Sequence, residues 1–180
     1  MSAKQSARIL ALTVAVSLPA AAAAQGSGAP APDSTWLTWN ATTRTATFKL
    51  IAGIPGRAKS PFNFNGYTDG ELTLTVPESS TVVVNFVNED GTPHSAQVIA
   101  DKLPIPNMAL DQPGIPRAYT RSVSEGIAQF GTDAMRFKAV PSGNYLIFCG
   151  VPGHGLSGMW IRFAVSSTAR APSLSETIPR

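Results

Sequence analysis

The sequence predicts an all-β protein, a Greek-key β-sandwich of about seven or eight strands in one domain. Short runs rich in valine, threonine and aromatic residues recur along the chain, and glycine, proline and aspartate separate them. None of the runs has the periodicity of an amphipathic helix, so they favour antiparallel strands packed as two sheets. Seven runs fit this description, at residues 44–51, 71–76, 81–87, 95–100, 136–140, 143–148 and 160–165.

The segments outside these runs set the expected domain boundaries. Residues 35–165 are expected to form the sandwich, residues 25–34 a flexible leader, and the Ser/Pro-rich residues 166–180 a disordered tail. Residues 103–125 hold four prolines and have no strand periodicity. They predict a long loop, with a short helix at residues 118–123 as one interpretation. Because loops of this length are uncommon in compact domains unless they are functional, we expect this one to have a role.

The first 24 residues have the layout of a secretory signal peptide. A basic start with Lys4 and Arg8 precedes the apolar residues 9–18, and alanines at 22–24 provide a small-residue cleavage site. The alternative, an uncleaved membrane anchor, is disfavoured because the apolar stretch falls short of the roughly 18–20 strongly apolar residues that span a bilayer. We therefore expect export to the periplasm or the outer face of the cytoplasmic membrane, with no membrane span after cleavage.

The charge balance argues against nucleic acid and anionic membrane surfaces as partners. Without Lys4 and Arg8, the 14 basic residues fall to 12, against 11 acidic ones, and the remaining sequence has no basic run. Electrostatic attraction to phosphate backbones or anionic lipids therefore has little basis.

The strongest chemical signal is a glycine-rich loop between the last two predicted strands. It places Cys149, His154 and Met159 at five-residue steps, and His94 is the only other histidine of the chain. Two histidines, one cysteine and a weak axial methionine form a blue-copper site, whereas thioether ligands are foreign to zinc. Taken singly, a buried inert cysteine and a methionine that only packs are the ordinary interpretations. Because the chain has no surplus histidine or cysteine, the four residues together favour one shared copper site.

This copper motif and one upstream run carry a family resemblance. The pattern Cys-x4-His-x4-Met, with an upstream His-Ser pair, resembles the cupredoxins, and within them the sulfocyanin and rusticyanin type. The run Phe-Asn-Phe-Asn-Gly at residues 62–66 looks most like sulfocyanin, and the resemblance spans residues 62–165. It implies a cupredoxin-like fold with one mononuclear blue-copper centre. The implied equatorial ligands are His94, Cys149 and His154, and the implied axial ligand is Met159.

The resemblance also implies roles for the groups around the copper. The backbone N–H of Ser95 would donate to the thiolate and tune its electron density. His94 would be buried, whereas the edge of His154 would be exposed among small apolar residues. Electrons would then enter and leave through that edge.

Electron transfer is the function that these features predict. The chain is expected to be an exported monomer that cycles between Cu(II) and Cu(I) with redox proteins such as a c-type cytochrome or a terminal oxidase. An enzyme is not expected, because both histidines are used in a single centre. The alternative is a periplasmic copper-binding or delivery protein. Such proteins favour exposed clusters of methionine and histidine, whereas Met108 and Met135 are isolated in the sequence.

Overall fold

The computed structural model describes residues 31–54 and 60–177. The predicted signal peptide and most of the predicted leader lie outside these residues. Among the helices of the described residues, none is long and apolar enough to cross a membrane. A single 3₁₀ turn at Ser34–Trp36 precedes the strands. In chain order the strands are β1 (Leu37–Asn40), β2 (Thr45–Ala52), β3 (Leu72–Pro77), β4 (Thr81–Asn88), β5 (Gln97–Ala100), β6 (Thr132–Lys138), β7 (Gly143–Phe148), β8 (Trp160–Ser166) and β9 (Ser173–Glu176).

These strands form two sheets packed face to face, as the sequence predicts. One sheet has four strands in the order β1-β2-β4-β6, and the other has five in the order β5-β7-β8-β3-β9. Residues that face the partner sheet alternate with outward ones, and this alternation buries Phe48, Phe86 and Phe163 almost completely. Phe137 and Phe163 meet edge to face across the two sheets, with ring centroids 5.9 Å apart. Each buried aromatic of this kind contributes about 1.5–3 kcal/mol, so the core holds the sandwich rigidly.

All seven predicted strand runs are confirmed as β2 to β8, and the described residues add the short strands β1 and β9. Within residues 31–54 and 60–177 the sandwich thus has nine strands rather than seven or eight. The expectation of a disordered tail is wrong for the described part of residues 166–180, because β9 pairs antiparallel with β3. Backbone pairing with an open edge strand does not require an apolar run, and this is why composition missed it.

The sheets are mixed, although the sequence pattern predicts antiparallel pairing throughout. β2 pairs with β4 in parallel, and so does β3 with β8. The chain crosses from the first sheet to the second between β2 and β3 and returns at β4. Two crossings leave β2 and β4 pointing the same way.

The proline-rich loop at residues 103–125 covers the open edge of β5 and contains no helix. The N–H of Val98 donates to the carbonyl of Ala118, and the N–H of Gly114 donates to the carbonyl of Val98, both at 2.8 Å. The same loop also contacts the segment that follows β7, where the N–H of Ala109 donates to the carbonyl of Gly150 at 2.8 Å. It therefore supports the glycine-rich loop that follows β7.

Candidate metal centre

Three of the four predicted ligands converge at one end of the sandwich. His94 lies in the turn after β4, Cys149 directly follows β7, and His154 lies in the loop that leads to β8. One donor atom from each lies within 4.8 Å of the other two. The histidine Nδ1 atoms are 3.1 Å apart, and the Cys149 sulfur is 3.9 Å from Nδ1 of His94 and 3.5 Å from Nδ1 of His154.

These separations suit a trigonal metal site. A metal about 2.0–2.1 Å from each nitrogen and about 2.3 Å from the sulfur needs donor pairs roughly 3.5–3.8 Å apart. The observed triangle has this size to within a few tenths of an ångström. A thiolate and two imidazoles in one plane form the donor set that selects copper.

Met159 ends the same loop and is completely buried. Its N–H donates to the carbonyl of His154 at 3.1 Å, and its own carbonyl accepts from the N–H of Cys149 at 3.0 Å. These two bonds close the loop on itself and fix Met159 beside both ligand residues. The structure thus brings Met159 to the centre through its backbone contacts.

The Cys149 sulfur accepts a hydrogen bond from the backbone of Ser95 at 3.4 Å, as the family resemblance implies. The Ser95 hydroxyl donates to the carbonyl of Val123 at 2.6 Å and accepts from the N–H of Gly150 at 3.0 Å. Ser95 therefore links the turn after β4, the long loop and the start of the glycine-rich loop at residues 149–159, hereafter the copper loop. This network fixes the direction of the N–H that faces the sulfur.

Burial controls the protonation of the three donors. It raises the pKa of the Cys149 thiol, and the N–H groups of Ser95 and Val151 oppose that rise. It lowers the pKa of His94, and the contact with Asp90 opposes the shift. It also lowers the pKa of His154, and the nearby His94 adds to that effect. Burial thus favours the neutral imidazoles that a metal requires, and a bound cation would stabilise the thiolate.

The two histidines differ in exposure, as predicted. His94 is fully buried, whereas His154 is only partly covered. Leu156, two residues further along the loop, is 57% exposed. His154 is thus the less buried of the two histidines.

Phe62 is a site residue that sequence reasoning missed, because it served there only as part of a family signature. Its ring lies 4.5 Å from the ring of His154 and 6.3 Å from that of His94, measured between centroids. Asn65 holds the segment against β2 by accepting from the N–H of Ile51 and donating to the carbonyl of Lys49, both at 3.0 Å. The alternating pattern of the run thus has a cause: the asparagines bind the backbone and Phe62 covers the histidines.

Asp90 is a second residue that was missed. Its Oδ2 lies 2.9 Å from Nε2 of His94, on the side of the ring opposite the donor triangle. Its only sequence signal is its place four residues before His94, in a turn rich in polar residues.

Known proteins share this fold and sequence. Residues 32–175 match the family described as the Sulfocyanin (SoxE) domain. The sulfocyanin of Sulfolobus acidocaldarius is 32% identical over 117 residues, which cover 62% of this chain and 59% of that protein. The chain thus matches less than two thirds of its relative's length.

Solved structures agree on the fold. A crystal structure of the copper protein rusticyanin superimposes with a TM-score of 0.50 at 24% identity, covering 73% of this chain and 89% of that one. A methionine-to-glutamine variant of rusticyanin gives a TM-score of 0.52 at 23% identity, with the same coverage. The rusticyanin-like sandwich, the family match and the convergent thiolate and imidazoles agree with one another. The chain therefore belongs to the sulfocyanin family of blue-copper cupredoxins and carries a mononuclear type-1 copper site.

Proposed function

We propose that this protein is an exported electron carrier that passes single electrons between respiratory redox proteins through the edge of His154. The observation that carries this proposal is the difference in exposure within one ligand set. His94, Cys149 and Met159 are completely buried, whereas His154 is partly exposed. Members of the family are electron carriers rather than enzymes.

Copper would be held here by His94, Cys149 and His154, with Met159 as a weaker fourth ligand. Copper bound there would supply a one-electron Cu(II)/Cu(I) couple. The assignment of Met159 is supported by its burial and by the two backbone bonds that fix it beside Cys149 and His154. A weak thioether stabilises Cu(II) little, and the apolar surroundings act in the same direction. The reduction potential should therefore be high and suited to a partner such as a c-type cytochrome or a terminal oxidase.

The surface around His154 fits a weak, transient partner. Leu156 is 57% exposed and Met108 is 50% exposed. Met108 lies close because the carbonyl of its neighbour Asn107 accepts from the N–H of Gly153 in the copper loop, at 2.7 Å. A small apolar patch around His154 allows a redox partner to approach closely without the large interface of a permanent complex. The proline-rich loop at residues 103–125 thus has a role, since it supplies Met108 to this contact surface.

Export is supported by the sequence of the first 24 residues alone, with their basic start, apolar stretch and alanine-rich end. We place the mature protein in the periplasm or on the outer face of the cytoplasmic membrane. Cell fractionation with N-terminal sequencing of the recovered protein would test this. A mature chain that begins at or near Gln25 supports export with cleavage, and a cytoplasmic chain that begins at Met1 refutes it.

The function is tested by visible spectroscopy and voltammetry on the copper-loaded protein. The blue colour of such a site comes from charge transfer from the Cys149 thiolate to Cu(II), so Cys149→Ser should abolish it. The wild-type protein should be blue when oxidised and should show a reversible one-electron wave. A Cys149→Ser protein that stayed blue would refute the assignment of Cys149 as a copper ligand. If the wild-type protein showed no reversible wave and readily lost its copper to a chelator, it would instead be a delivery protein.

A further inference from the structure

The carboxylate of Asp90, which is not one of the proposed copper ligands, contacts the ring of His94. Nε2 of His94 lies 2.9 Å from Oδ2 of Asp90, and Nδ1 of the same ring faces His154 and Cys149. A ring whose Nδ1 lone pair binds a metal must carry its proton on Nε2. Nε2 therefore donates to the carboxylate, and the His94 ring cannot rotate without breaking this bond.

The carboxylate is itself held in place, so the contact is not a chance encounter of flexible side chains. Oδ1 of Asp90 accepts from the N–H of Gly91 at 2.7 Å, and the N–H of Asp90 donates to Oδ1 of Asn88 at 2.9 Å. Asn88 is fully buried, and its amide donates to the carbonyls of Thr92 and Ile127, both at 2.8 Å. The turn between β4 and His94 is thus tied at both ends.

The neighbouring strand leaves room for this arrangement. Gly53 follows β2 with a φ of +72°, and a Cβ at that position would lie 2.2 Å from the Cβ of Asp90. Any larger residue at Gly53 would therefore displace Asp90 and, with it, the acceptor of His94.

We propose that Asp90 is a positioning residue that fixes the ring of His94 and lowers the reduction potential of the copper. A carboxylate that accepts the Nε2 proton increases the electron density of the imidazole and strengthens its bond to the more highly charged Cu(II). The Asp90 side chain is 24% exposed, so solvent screens its negative charge only in part. Asp90 thus opposes the weak axial thioether and the apolar surroundings, both of which favour Cu(I). This proposal rests on the copper site of the proposed function and not on the identity of any partner.

The test compares two isosteric substitutions that remove the same charge. Asp90→Asn removes the charge and weakens the acceptor, whereas Glu89→Gln removes a charge from the adjacent, exposed residue. Protein-film voltammetry of the copper-loaded variants should show that Asp90→Asn raises the reduction potential by at least about 59 mV. This shift corresponds to a tenfold change in the ratio of the Cu(II) and Cu(I) affinities. Glu89→Gln should give a clearly smaller shift. Equal shifts in the two variants would overturn the proposal.

A second measurement needs no variant. In the reduced, diamagnetic wild-type protein, nitrogen-resolved NMR should place the His94 proton on Nε2 and show that it exchanges slowly with water. A proton on Nδ1, or rapid exchange, would contradict the proposal. Both readouts concern the isolated protein at equilibrium. If electron exchange with a partner failed while the two readouts held, only the proposed function would be refuted.

Discussion

Asn63 offers a sharp test of how the Phe-Asn-Phe-Asn-Gly run shapes the copper site. The side chain is fully buried, and its Oδ1 accepts from the N–H groups of Ile54 at 3.1 Å and Gly66 at 3.0 Å. Its amide donates to the carbonyls of Ser60 at 3.0 Å and Pro61 at 3.2 Å. Asn63→Ala removes all of these bonds at once and leaves a space that water reaches poorly.

The magnitude follows from the groups that lose their partners. A buried N–H left without an acceptor costs about 1–3 kcal/mol. The N–H of Gly66 is buried and that of Ile54 is part-buried, so together they predict a loss of about 2–4 kcal/mol in the free energy of unfolding. At roughly 2–4 °C per kcal/mol for a chain of this size, the thermal midpoint should fall by about 4 °C or more. The segment that carries Phe62 should loosen as well, which admits water to His154 and favours Cu(II). The reduction potential should therefore fall together with the stability.

Thermal unfolding of the copper-loaded, reduced proteins measures the first effect, and voltammetry measures the second. Asn85→Ala is the matched control, because Asn85 lies exposed on β4 and is the same residue type. The control should stay within about 0.5 kcal/mol of the wild type. If Asn63→Ala were as mild as Asn85→Ala, the hydrogen bonds of Asn63 would not hold the segment, and the account of the run would be wrong.

Two further predictions concern the copper loop. Met159→Leu removes the thioether donor and should raise the reduction potential, whereas Met159→Gln supplies a harder oxygen ligand and should lower it. Voltammetry measures both shifts, and about 59 mV corresponds to a tenfold change in the ratio of the Cu(II) and Cu(I) affinities. Met135→Leu, in the core on β6, should leave the potential unchanged, and unchanged potentials in all three variants would make Met159 a packing residue. Leu156→Lys should slow electron exchange with a redox partner, measured by stopped flow, and leave the visible spectrum intact. Val140→Lys adds the same charge at the other end of the sandwich. If both lysine variants slowed electron exchange equally, the proposal that electrons pass through the edge of His154 would be contradicted.

The strand pattern and the ligands could be predicted because both depend on local or scarce features. β2, β3, β4, β6 and β8 alternate between buried and more exposed residues, and β5 and β7 are short apolar runs bounded by turn residues. Cys149, His154 and Met159 lie in one loop, and His94 had no competitor as the fourth ligand. Scarcity, more than spacing, allowed His94 to be assigned across 55 residues of chain.

The features that could not be predicted depend on geometry between distant segments. Asp90 and Phe62 are ordinary polar and aromatic residues until the turn after β4 and the run before β3 fold against the two histidines. The strand β9 exists because β3 offers it an open edge, and its own sequence is mostly serine and glutamate. The parallel pairs arise from the chain crossing between sheets, which no single run encodes.

The pairing of β9 with β3 decides how the molecule presents itself when it is attached to a surface. The N–H of Thr177 donates to the carbonyl of Glu71 at 2.6 Å, and two residues earlier the N–H of Asp69 donates to the carbonyl of Gly158 in the copper loop at 2.9 Å. Thr177 therefore lies at the same end of the sandwich as the copper loop. An electrode tether or affinity tag fused there holds the copper face against its support, whereas attachment at the exposed turn of Ser142, at the opposite end, leaves that face open.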